Sequence, residues 1–429
     1  MKGNLLITNA SQLITCSGNK AKHGEQMSEL GIIEKGGVII ESGVIKEVGK
    51  TKDILHCLPE GSYETVDASG KIVLPGFVDS HTHLVFGGYR AEEFSWRLSG
   101  ESYMEIMKRG GGILSTVSAT RRSTKEELIE SGLSRLESML SFGVTTVEGK
   151  SGYGLDLETE IKQLEALEKL DEIHPIDIAR TFLGAHAIPQ EFKTREDEFI
   201  DYMIETVIPE VADRKLAEFC DIFCEKTVFS VAQSKRLLSK AKEMGLKLKI
   251  HADEIVRLGG AELAASLGAV SADHLLCASD EGIKALAEAG VIATLLPGTA
   301  FCLKESYARA RYMIDQDSAV ALATDFNPGS SFTESIPLIF SLATLYMGMT
   351  TEEAITALTL NGAAALDRAG RIGSIDAGKK GDIVILDYPS YHFIPYHAGV
   401  NAVEKTIKNG EIVFDKTGNK DDYHKTSGS

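Results

Sequence analysis

The chain has 429 residues, of which 43% are hydrophobic and 25% charged, a composition typical of a well-packed soluble protein. Its formal net charge of −17 repels phosphate backbones and anionic membranes, which argues against nucleic acid or a membrane as a partner. The six cysteines include no CxxC pair, and neither a signal-peptide pattern nor an apolar run of about 20 residues is present, so we expect a cytoplasmic protein.

Short aliphatic runs joined by glycine and serine turn signals occupy both ends of the chain. NLLITNASQLIT and GGVIIESGVIKEVG come before residue 70, whereas GDIVILDYP and VEKTIKNGEIVF follow residue 370. Such runs are typical of β-meanders, and Asn409-Gly410 predicts a tight hairpin turn. We expect segments 1–70 and 371–416 to form one small β-sandwich domain together, followed by a polar tail at 417–429.

Residues 71–370 alternate apolar, strand-like runs with amphipathic helical segments, one of which has a predicted capping box at Ser123 and Glu126. The apolar runs are continuous, as in strands that are covered on both faces. This pattern predicts an α/β fold, a TIM-like (β/α)8 barrel. The alternative, a doubly wound open sheet, is disfavoured because no glycine-rich dinucleotide turn follows the first strand. The eight predicted strands are 72–80, 144–149, 177–184, 220–225, 246–252, 269–274, 291–297 and 320–326.

Histidines and one aspartate recur at the carboxyl ends of these strands, where barrel enzymes build their active sites. The sharpest signal is the pair His81 and His83, because residues two apart on a strand point to the same side and can reach one ion. A single histidine at a strand end is usually structural, but agreement among several strands favours a metal site. Imidazoles with a carboxylate suit zinc or iron(II) better than magnesium or calcium. The other members are His186, His251, His274 and Asp325.

The motifs at these strand ends, PGFVDSHTHL, HADE, SADH and ATDFNPG, resemble the amidohydrolase superfamily, and the similarity covers nearly the whole chain. FGGYRAEEF, GGGILSTVSATR, EGKSGYGLD, LGAHAIP and DFNPGS are together similar to the branch that opens the ring of imidazolone propionate in histidine degradation. The resemblance implies metal-dependent hydrolysis of a cyclic amide C–N bond by a metal-activated water, with N-formimidoyl-L-glutamate as product. It also implies a homodimer with one divalent metal per subunit, Zn²⁺ or iron as Fe²⁺ or Fe³⁺.

Carried over position by position, the resemblance implies three sets of site residues. The metal would be held by His81, His83, His251 and Asp325. Catalytic proton transfer would involve His274 as base or orienting group, Glu254 as proton shuttle, and Asp325. The substrate would be contacted by Arg90, Tyr103, Tyr153, His186, Glu254 and Ser330, and the ring-opened product by Asn327 and Gly329.

Arg90 meets an electrostatic requirement, since an acidic protein that binds an anionic substrate needs a local cation, and a guanidinium matches a carboxylate with two hydrogen bonds. Glu254 has an alternative role, because acidic residues also favour helix N-termini. Binuclear relatives place a carboxylated lysine at the end of the fourth strand, where this chain has CDIFCE; Lys150 follows the second strand. We therefore expect one metal, although Glu225 could bridge two ions in principle.

Two other functions remain compatible with the sequence. An aminohydrolase of the same superfamily, acting on a purine, pyrimidine or triazine ring, would share the HxH, HxxE and eighth-strand aspartate motifs. Arg90 disfavours it, because a neutral base does not need a cation. A scaffolding protein that kept the barrel without its chemistry is disfavoured by the complete set of candidate ligands.

Overall fold

The computed structural model describes residues 3–58, 61–101, 105–106 and 109–418. Its strands, numbered along the chain, form two sheets of eight strands each. The strands are β1 (Leu5–Ile14), β2 (Ile32–Glu41), β3 (Val44–Lys50), β4 (Glu64–Asp67), β5 (Ile72–Pro75), β6 (Phe77–Asp79), β7 (Val144–Lys150), β8 (Asp177–Ala185), β9 (Phe219–Cys224), β10 (Lys247–Ala252), β11 (Ser271–His274), β12 (Ile292–Leu295), β13 (Val320–Leu322), β14 (Ile383–Leu386), β15 (Val403–Lys408) and β16 (Glu411–Asp415).

Helices connect and cover the strands, and none in the described part of the chain is both long and apolar enough to cross a bilayer. The α-helices are Thr51–Ile54, Ala91–Leu98, Ile113–Arg122, Lys125–Ser141, Leu157–Ile173, Glu196–Tyr202, Ile208–Asp213, Val231–Glu243, Gly260–Leu267, Asp280–Ala289, Pro297–Leu303, Ala310–Asp315, Ile336–Tyr346, Thr351–Leu358, Leu360–Ala364 and Phe393–Tyr396. Short 3₁₀ turns span Gly24–Ser28, Leu55–Cys57 and Gln190–Phe192, and a π-helical turn spans Met203–Val207.

One sheet unites the two ends of the chain, in the order β16-β15-β14-β5-β1-β2-β3, with β4 paired to β1. Strand β5 joins the two halves, because it pairs with β1 in parallel and with β14 antiparallel. The predicted hairpin at Asn409-Gly410 is confirmed, with φ of 50° and 71° at the two residues between β15 and β16. Both chain ends thus meet in one sheet, as expected; its description as a sandwich and the domain limits stay predictions.

The second sheet is the predicted barrel, with strands β6 to β13 adjacent in sequence order and parallel. It closes just beyond the ends of β6 and β13, where Asp325 N donates to His81 O at 3.0 Å and His83 N donates to Phe326 O at 2.8 Å. The closing hydrogen bonds therefore lie in the segments that carry the candidate metal ligands of the first and eighth strands.

The first predicted barrel strand, 72–80, is divided at Gly76 between the two sheets. Gly76 N donates to Asp382 O at 3.0 Å, next to β14, whereas Phe77 N donates to Gly143 O at 3.0 Å, next to β7. A Cβ at Gly76 would collide with the side chain of Thr145, so the chain changes sheets where only glycine fits. The other seven predicted strands are observed with ends shifted by at most two residues, except that the eighth ends at Leu322, four residues before the predicted end at 326.

The predicted capping box was wrong by one residue. Thr124, rather than Ser123, accepts from Glu127 N at 3.1 Å, and Glu127 Oε2 accepts in return from Thr124 N at 2.9 Å. Ser123 instead ends the preceding helix, since its hydroxyl donates to Ala119 O at 3.1 Å. Two adjacent hydroxyl residues separate two helices here, and the sequence pattern does not decide which of them is the cap.

Candidate active site

Side chains from four barrel strands meet at the carboxyl end of the barrel. Donor atoms of His81, His83 and His251 all lie within 4.8 Å of one another. The same is true of donor atoms of His81, His274 and Asp325. Asp325 Oδ1 lies 3.5 Å from Nε2 of both His81 and His83. The predicted metal ligands therefore form one cluster, and His274 lies at its edge.

Two buried carboxylates orient two of these imidazoles. Asp273 Oδ2 lies 2.6 Å from His81 Nδ1, and Asp221 Oδ2 lies 2.9 Å from His251 Nδ1. A proton held on Nδ1 by a carboxylate leaves the lone pair on Nε2. Within the described residues, Nε2 of His81 and Nε2 of His251 are buried without a hydrogen-bond partner; Nδ1 of His251, although 2.9 Å from Asp221 Oδ2, is not aligned for a regular hydrogen bond. Buried nitrogens without a partner are rare, and here they mark the position of a ligand that the protein itself does not supply.

The electrostatics of the cluster suit a cation. Burial, reinforced by the charge of Lys150, lowers the pKa of His81, and burial lowers the pKa of His251 to about 4 despite the nearby Asp221 carboxylate. Both rings are thus neutral at pH 7, the form that binds metals. Burial opposes ionisation of Asp325, but the hydrogen bond with His83 and the charges of His274 and His83 bring its pKa down to about 2. Neutral imidazoles with one carboxylate are a donor set that fits a single divalent metal ion.

The candidate proton-transfer residues lie beside this cluster. Glu254 Oε2 is 3.6 Å from His274 Nδ1, and the Glu254 side chain is only 16% exposed. Burial raises the pKa of Glu254. The alternative role of Glu254 as a helix cap is taken by its neighbour Asp253, whose carboxylate accepts from four backbone N–H groups. The donors are Leu258, Gly259, Gly260 and Ala261, at 2.7, 2.9, 3.2 and 2.9 Å.

The backbone at three site residues adopts a left-handed conformation that residues other than glycine rarely adopt. The φ angles are 50° at Asp253, 75° at His274 and 51° at Asp325. Such conformations persist only where surrounding contacts hold them, and they cluster at functional sites. At Asp325 the barrel-closing hydrogen bond from its N–H to His81 O provides one such contact.

An aromatic wall lies on one side of the candidate metal ligands. The His186 ring stacks on His83 with centroids 4.9 Å apart and 14° between the planes, and its Nδ1 lies 3.1 Å from Gly152 O. The Tyr153 ring centroid is 5.3 Å from that of His186 and 5.7 Å from that of His83. The loop that carries Tyr153 is anchored by buried Glu160, which accepts from three of its backbone N–H groups. Both predicted substrate contacts, Tyr153 and His186, therefore adjoin the candidate metal ligands.

A tight turn after Asp325 forms another wall. Asn327 Oδ1 accepts from the backbone N–H groups of Gly329 and Ser330, both at 2.8 Å. Its Nδ2 donates to Asp325 O at 2.7 Å and to Ser330 Oγ at 2.9 Å. The Asn327 amide is therefore engaged in shaping the turn, whereas Gly329 and Ser330 are only partly buried.

Arg90 is held by a partner that sequence patterns did not single out. Its Nε donates to Glu93 Oε2 at 2.9 Å, and its Nη2 contacts Glu93 Oε1. The guanidinium packs against Gly329, because a Cβ at that glycine would collide with Arg90 Nη1. Arg90 thus reaches the turn after Asp325, as a substrate-binding role requires. Tyr103, the remaining predicted contact, lies outside the described residues.

Comparison with known proteins agrees with this geometry. A model of the amidohydrolase family matches residues 72–413. An imidazolonepropionase from Clostridium tetani (strain Massachusetts / E88) is 65% identical over 416 residues, which cover 97% of this chain and 99% of that protein. An imidazolonepropionase from Parabacteroides distasonis is 59% identical and covers 95% of this chain and 98% of its own length. The chain belongs to the imidazolonepropionase family of amidohydrolases.

Solved structures of more distant proteins have a fold similar to that of this member of the imidazolonepropionase family. A triazine hydrolase variant aligns with a TM-score of 0.74 at 17% identity, covering 96% of this chain and 95% of its own. Guanine deaminase from E. coli aligns with a TM-score of 0.71 at 15% identity, covering 96% and 99%. At these identities the similarity concerns the fold alone.

A buried charge network, which the sequence patterns missed, lies next to the candidate metal ligands. Lys150 Nζ is 2.7 Å from Asp221 Oδ2 and 2.9 Å from Glu148 Oε2, and Lys249 Nζ is 3.0 Å from Glu148 Oε2. Burial opposes the charge of Lys150, but Asp221, Glu148 and Asp273 raise its pKa, so it stays protonated. Lys150 therefore acts as counter-ion to the carboxylates behind the histidines. Charged residues inside otherwise apolar strands, as in VTTVEGK and LKLKIHA, are the signal that could have revealed the network.

Glu225, considered as a bridge to a second ion, has another role. Its Oε2 accepts from Ile255 N at 2.8 Å and from Val256 N at 3.4 Å. Where the structure is described, Glu225 belongs to none of the clusters of metal-ligating atoms. Its carboxylate fixes the loop that follows Glu254, so the donor geometry favours a single metal.

Proposed function

We propose that this protein hydrolyses the ring C–N amide bond of 4-imidazolone-5-propanoate to give N-formimidoyl-L-glutamate, a step of histidine catabolism. The single observation that carries the proposal is the convergence of His81, His83, His251 and Asp325 beside Glu254 and His274, in a chain of the imidazolonepropionase family. Arg90, at the turn after Asp325, supplies the positive charge that an anionic substrate needs within a protein of net charge −17.

The metal is proposed to be zinc or iron, held by Nε2 of His81 and of His251, by His83 and by Asp325. Both metals accept imidazole and carboxylate ligands, whereas magnesium and calcium prefer oxygen ligands only. When bound, such an ion polarises a carbonyl oxygen and lowers the pKa of water. The hydrogen bond between Asp273 and Nδ1 of His81, and the Asp221 carboxylate 2.9 Å from Nδ1 of His251, favour the tautomers that leave both Nε2 lone pairs free for the ion.

Proton transfer is proposed to fall to His274 and Glu254. One water is consumed: its oxygen bonds to the ring carbonyl carbon, the C–N bond breaks, and one proton ends on the released nitrogen. His274 accepts the first proton or orients the water, with Asp325 next to it in the cluster. Glu254 is ionised at the start; it takes up this water proton, directly or from His274 at 3.6 Å, and delivers it to the departing nitrogen, which would otherwise leave as an unstable anion. Burial raises the pKa of Glu254 towards neutrality, where an acid–base shuttle works best.

Substrate binding is proposed to use Arg90, the aromatic wall and the turn after Asp325. Arg90 pairs with the propionate, while Tyr153 and His186 pack beside the ring; Tyr103 is proposed to complete this set. Gly329 and Ser330 contact the carboxylate produced by ring opening, and Asn327 acts through the turn that it shapes. Glu254 contacts the ring nitrogen that it protonates.

We further propose a homodimer in the cytoplasm. Leu345 and Tyr346 are 65% and 64% exposed at the end of the helix Ile336–Tyr346, and Tyr307 stacks on Tyr346 at 5.4 Å. Adjoining exposed apolar side chains mark association surfaces. The five cysteines whose side chains the structure describes are unpaired, as is usual in a reducing compartment. Light scattering of the wild type and of a Leu345→Lys, Tyr346→Lys variant tests the dimer.

The decisive experiment measures the loss of imidazolone absorbance and the formation of formimidoyl glutamate, together with the metal content of the same sample. We expect turnover that disappears after chelation and returns with Zn²⁺ or Fe²⁺. Turnover by metal-stripped protein would contradict the mechanism, and a metal-loaded protein without turnover would contradict the substrate.

A further inference from the structure

Three charged residues share one face along the helix Ala91–Leu98 and its N-cap. Arg90, Glu93 and Arg97 are spaced three and four residues apart, which places their side chains next to one another on a helix. Arg97 Nη2 lies 3.4 Å from Glu93 Oε1, and the Glu93 carboxylate also accepts hydrogen bonds from Nε and Nη2 of Arg90. One carboxylate thus joins two guanidinium groups.

Glu93 is an unusual residue to find in this position, because its side chain is only 4% exposed. A buried carboxylate is tolerated when its hydrogen-bonding capacity is filled. Besides Arg90 and Arg97, Glu93 accepts from Gly112 N at 2.8 Å. These contacts fix the carboxylate, and the bidentate pairing fixes the orientation of the Arg90 plane.

The two guanidinium groups meet at Gly329. With Nε and Nη2 directed at Glu93, Arg90 presents Nη1 to Gly329, and Arg97 Nη2 donates to Gly329 O at 3.3 Å. Arg97 Nη1 is buried and has no hydrogen-bond partner among residues 3–58, 61–101, 105–106 and 109–418. A buried guanidinium N–H without an acceptor is costly, so this donor points to an acceptor that arrives with a ligand.

The charge of the group also points to one anionic group on the ligand. Two guanidinium cations and one carboxylate leave a net charge of about one positive unit. One ligand carboxylate neutralises this excess, and its two oxygens match the donors that Arg90 and Arg97 keep free of Glu93. A neutral ligand would leave both the charge and the Arg97 donor unsatisfied.

We propose that Arg97 is a second residue that binds the substrate carboxylate, and that Glu93 is the positioning residue that aims Arg90 and Arg97 at it. This inference rests on the proposed function, since it assumes an anionic substrate at this turn. It assigns specificity for the propionate to a three-residue group rather than to Arg90 alone.

The test uses the metal-loaded enzyme and the variants Arg97→Met, Arg97→Lys and Glu93→Gln. Arg97→Met and Glu93→Gln should raise KM for imidazolone propionate by roughly 10- to 100-fold and leave kcat within a few-fold, the range expected when charged binding contacts are lost. Arg97→Lys should restore part of the loss. Glu92→Gln, on the exposed side of the same helix, and Arg122→Met, at another exposed position, are the matched controls.

Inhibition by imidazole propionate and by its methyl ester separates a binding role from a merely structural one. The wild type should prefer the acid, whereas Arg97→Met and Glu93→Gln should lose that preference and bind the ester as the wild type does. Wild-type KM and acid preference in both variants, with a large KM increase in Arg90→Ala, would overturn this inference and leave the proposed function intact. Absence of turnover by the wild type would instead overturn the proposed function.

Discussion

Asp273 Oδ2 lies 2.6 Å from Nδ1 of His81, a contact that decides which nitrogen of His81 faces the metal position. Carboxylates in this place fix the orientation of ligating histidines and strengthen them as donors, and their loss typically costs 10- to 100-fold in metal affinity or activity. We therefore expect Asp273→Asn to lower metal affinity by about that factor. Metal retained after dialysis against graded chelator measures it. Asp213→Asn, at an exposed position, is the control; equal retention in both variants would contradict the orienting role.

Glu254→Gln should separate proton transfer from metal binding. The amide keeps the size of the side chain but cannot carry a proton, so kcat should fall by roughly 10²- to 10⁴-fold. Glu254 is not a proposed ligand, and the metal content should therefore equal that of the wild type. Loss of the metal in Glu254→Gln would show that the role of this residue is misassigned.

The pH profile gives an independent test of Glu254. Burial raises its pKa above the ordinary value of 4.5. A group that must be ionised to take up a proton loses function as the pH falls through its pKa, so wild-type activity should decline on the acid side at a pH above 4.5. The residual activity of Glu254→Gln should lack this decline. An unchanged acid limb in the variant would assign the limb to another group.

Lys150→Met should destabilise the fold, although Lys150 is not a ligand. It would leave Asp221 and Glu148 buried without their counter-ion, and breaking a buried ion pair costs about 3–5 kcal/mol of unfolding free energy. The midpoint of urea denaturation, measured on metal-stripped protein, isolates this effect from metal loss. Lys235→Met, exposed on the helix Val231–Glu243, should leave the midpoint unchanged. A wild-type midpoint in Lys150→Met would show that Asp221 and Glu148 do not need Lys150 as their counter-ion.

The barrel and the convergence of the candidate ligands were predictable because they depend on periodic, local signals. Continuous apolar runs gave the strands, and the residues at their carboxyl ends, such as His81 and Asp325, must face one side of a parallel barrel. The charge network was not predictable in the same way. The sequence places Lys150 only at the end of a predicted strand, and its contact with Asp221 depends on how neighbouring strands pack. Glu93, three residues from Arg90, had a helical spacing that could have suggested the pair, but not its burial.

His174 should make the protein less stable in acid. Its side chain is only 2% exposed, and burial lowers its pKa from 6.5 to about 4. Between these two pH values the unfolded chain binds a proton that the folded chain does not, so stability falls as the pH drops from 6.5 to 4. The difference corresponds to about 3 kcal/mol at most.

His174→Asn should flatten this dependence, because asparagine keeps an acceptor for Ile176 N and cannot be protonated in this range. Urea denaturation of both proteins at several pH values measures the two slopes. Above pH 7.5 both side chains are neutral, so the comparison there reports only the change in packing. Parallel slopes below pH 6.5 would show that His174 is not the group responsible.

Gly329→Ala tests the contact between the turn and Arg90. An added Cβ would lie 3.0 Å from Arg90 Cζ and closer still to its Nη1, so the guanidinium must move away from the turn. Because the metal ligands are untouched, we expect KM for the acid substrate to rise by about tenfold, equivalent to about 1.4 kcal/mol, with a smaller change in kcat. Gly370→Ala is the matched control, since a Cβ there meets nothing within 4 Å. If Gly329→Ala instead lowered kcat at an unchanged KM, the turn would act on the reacting atoms rather than on the carboxylate.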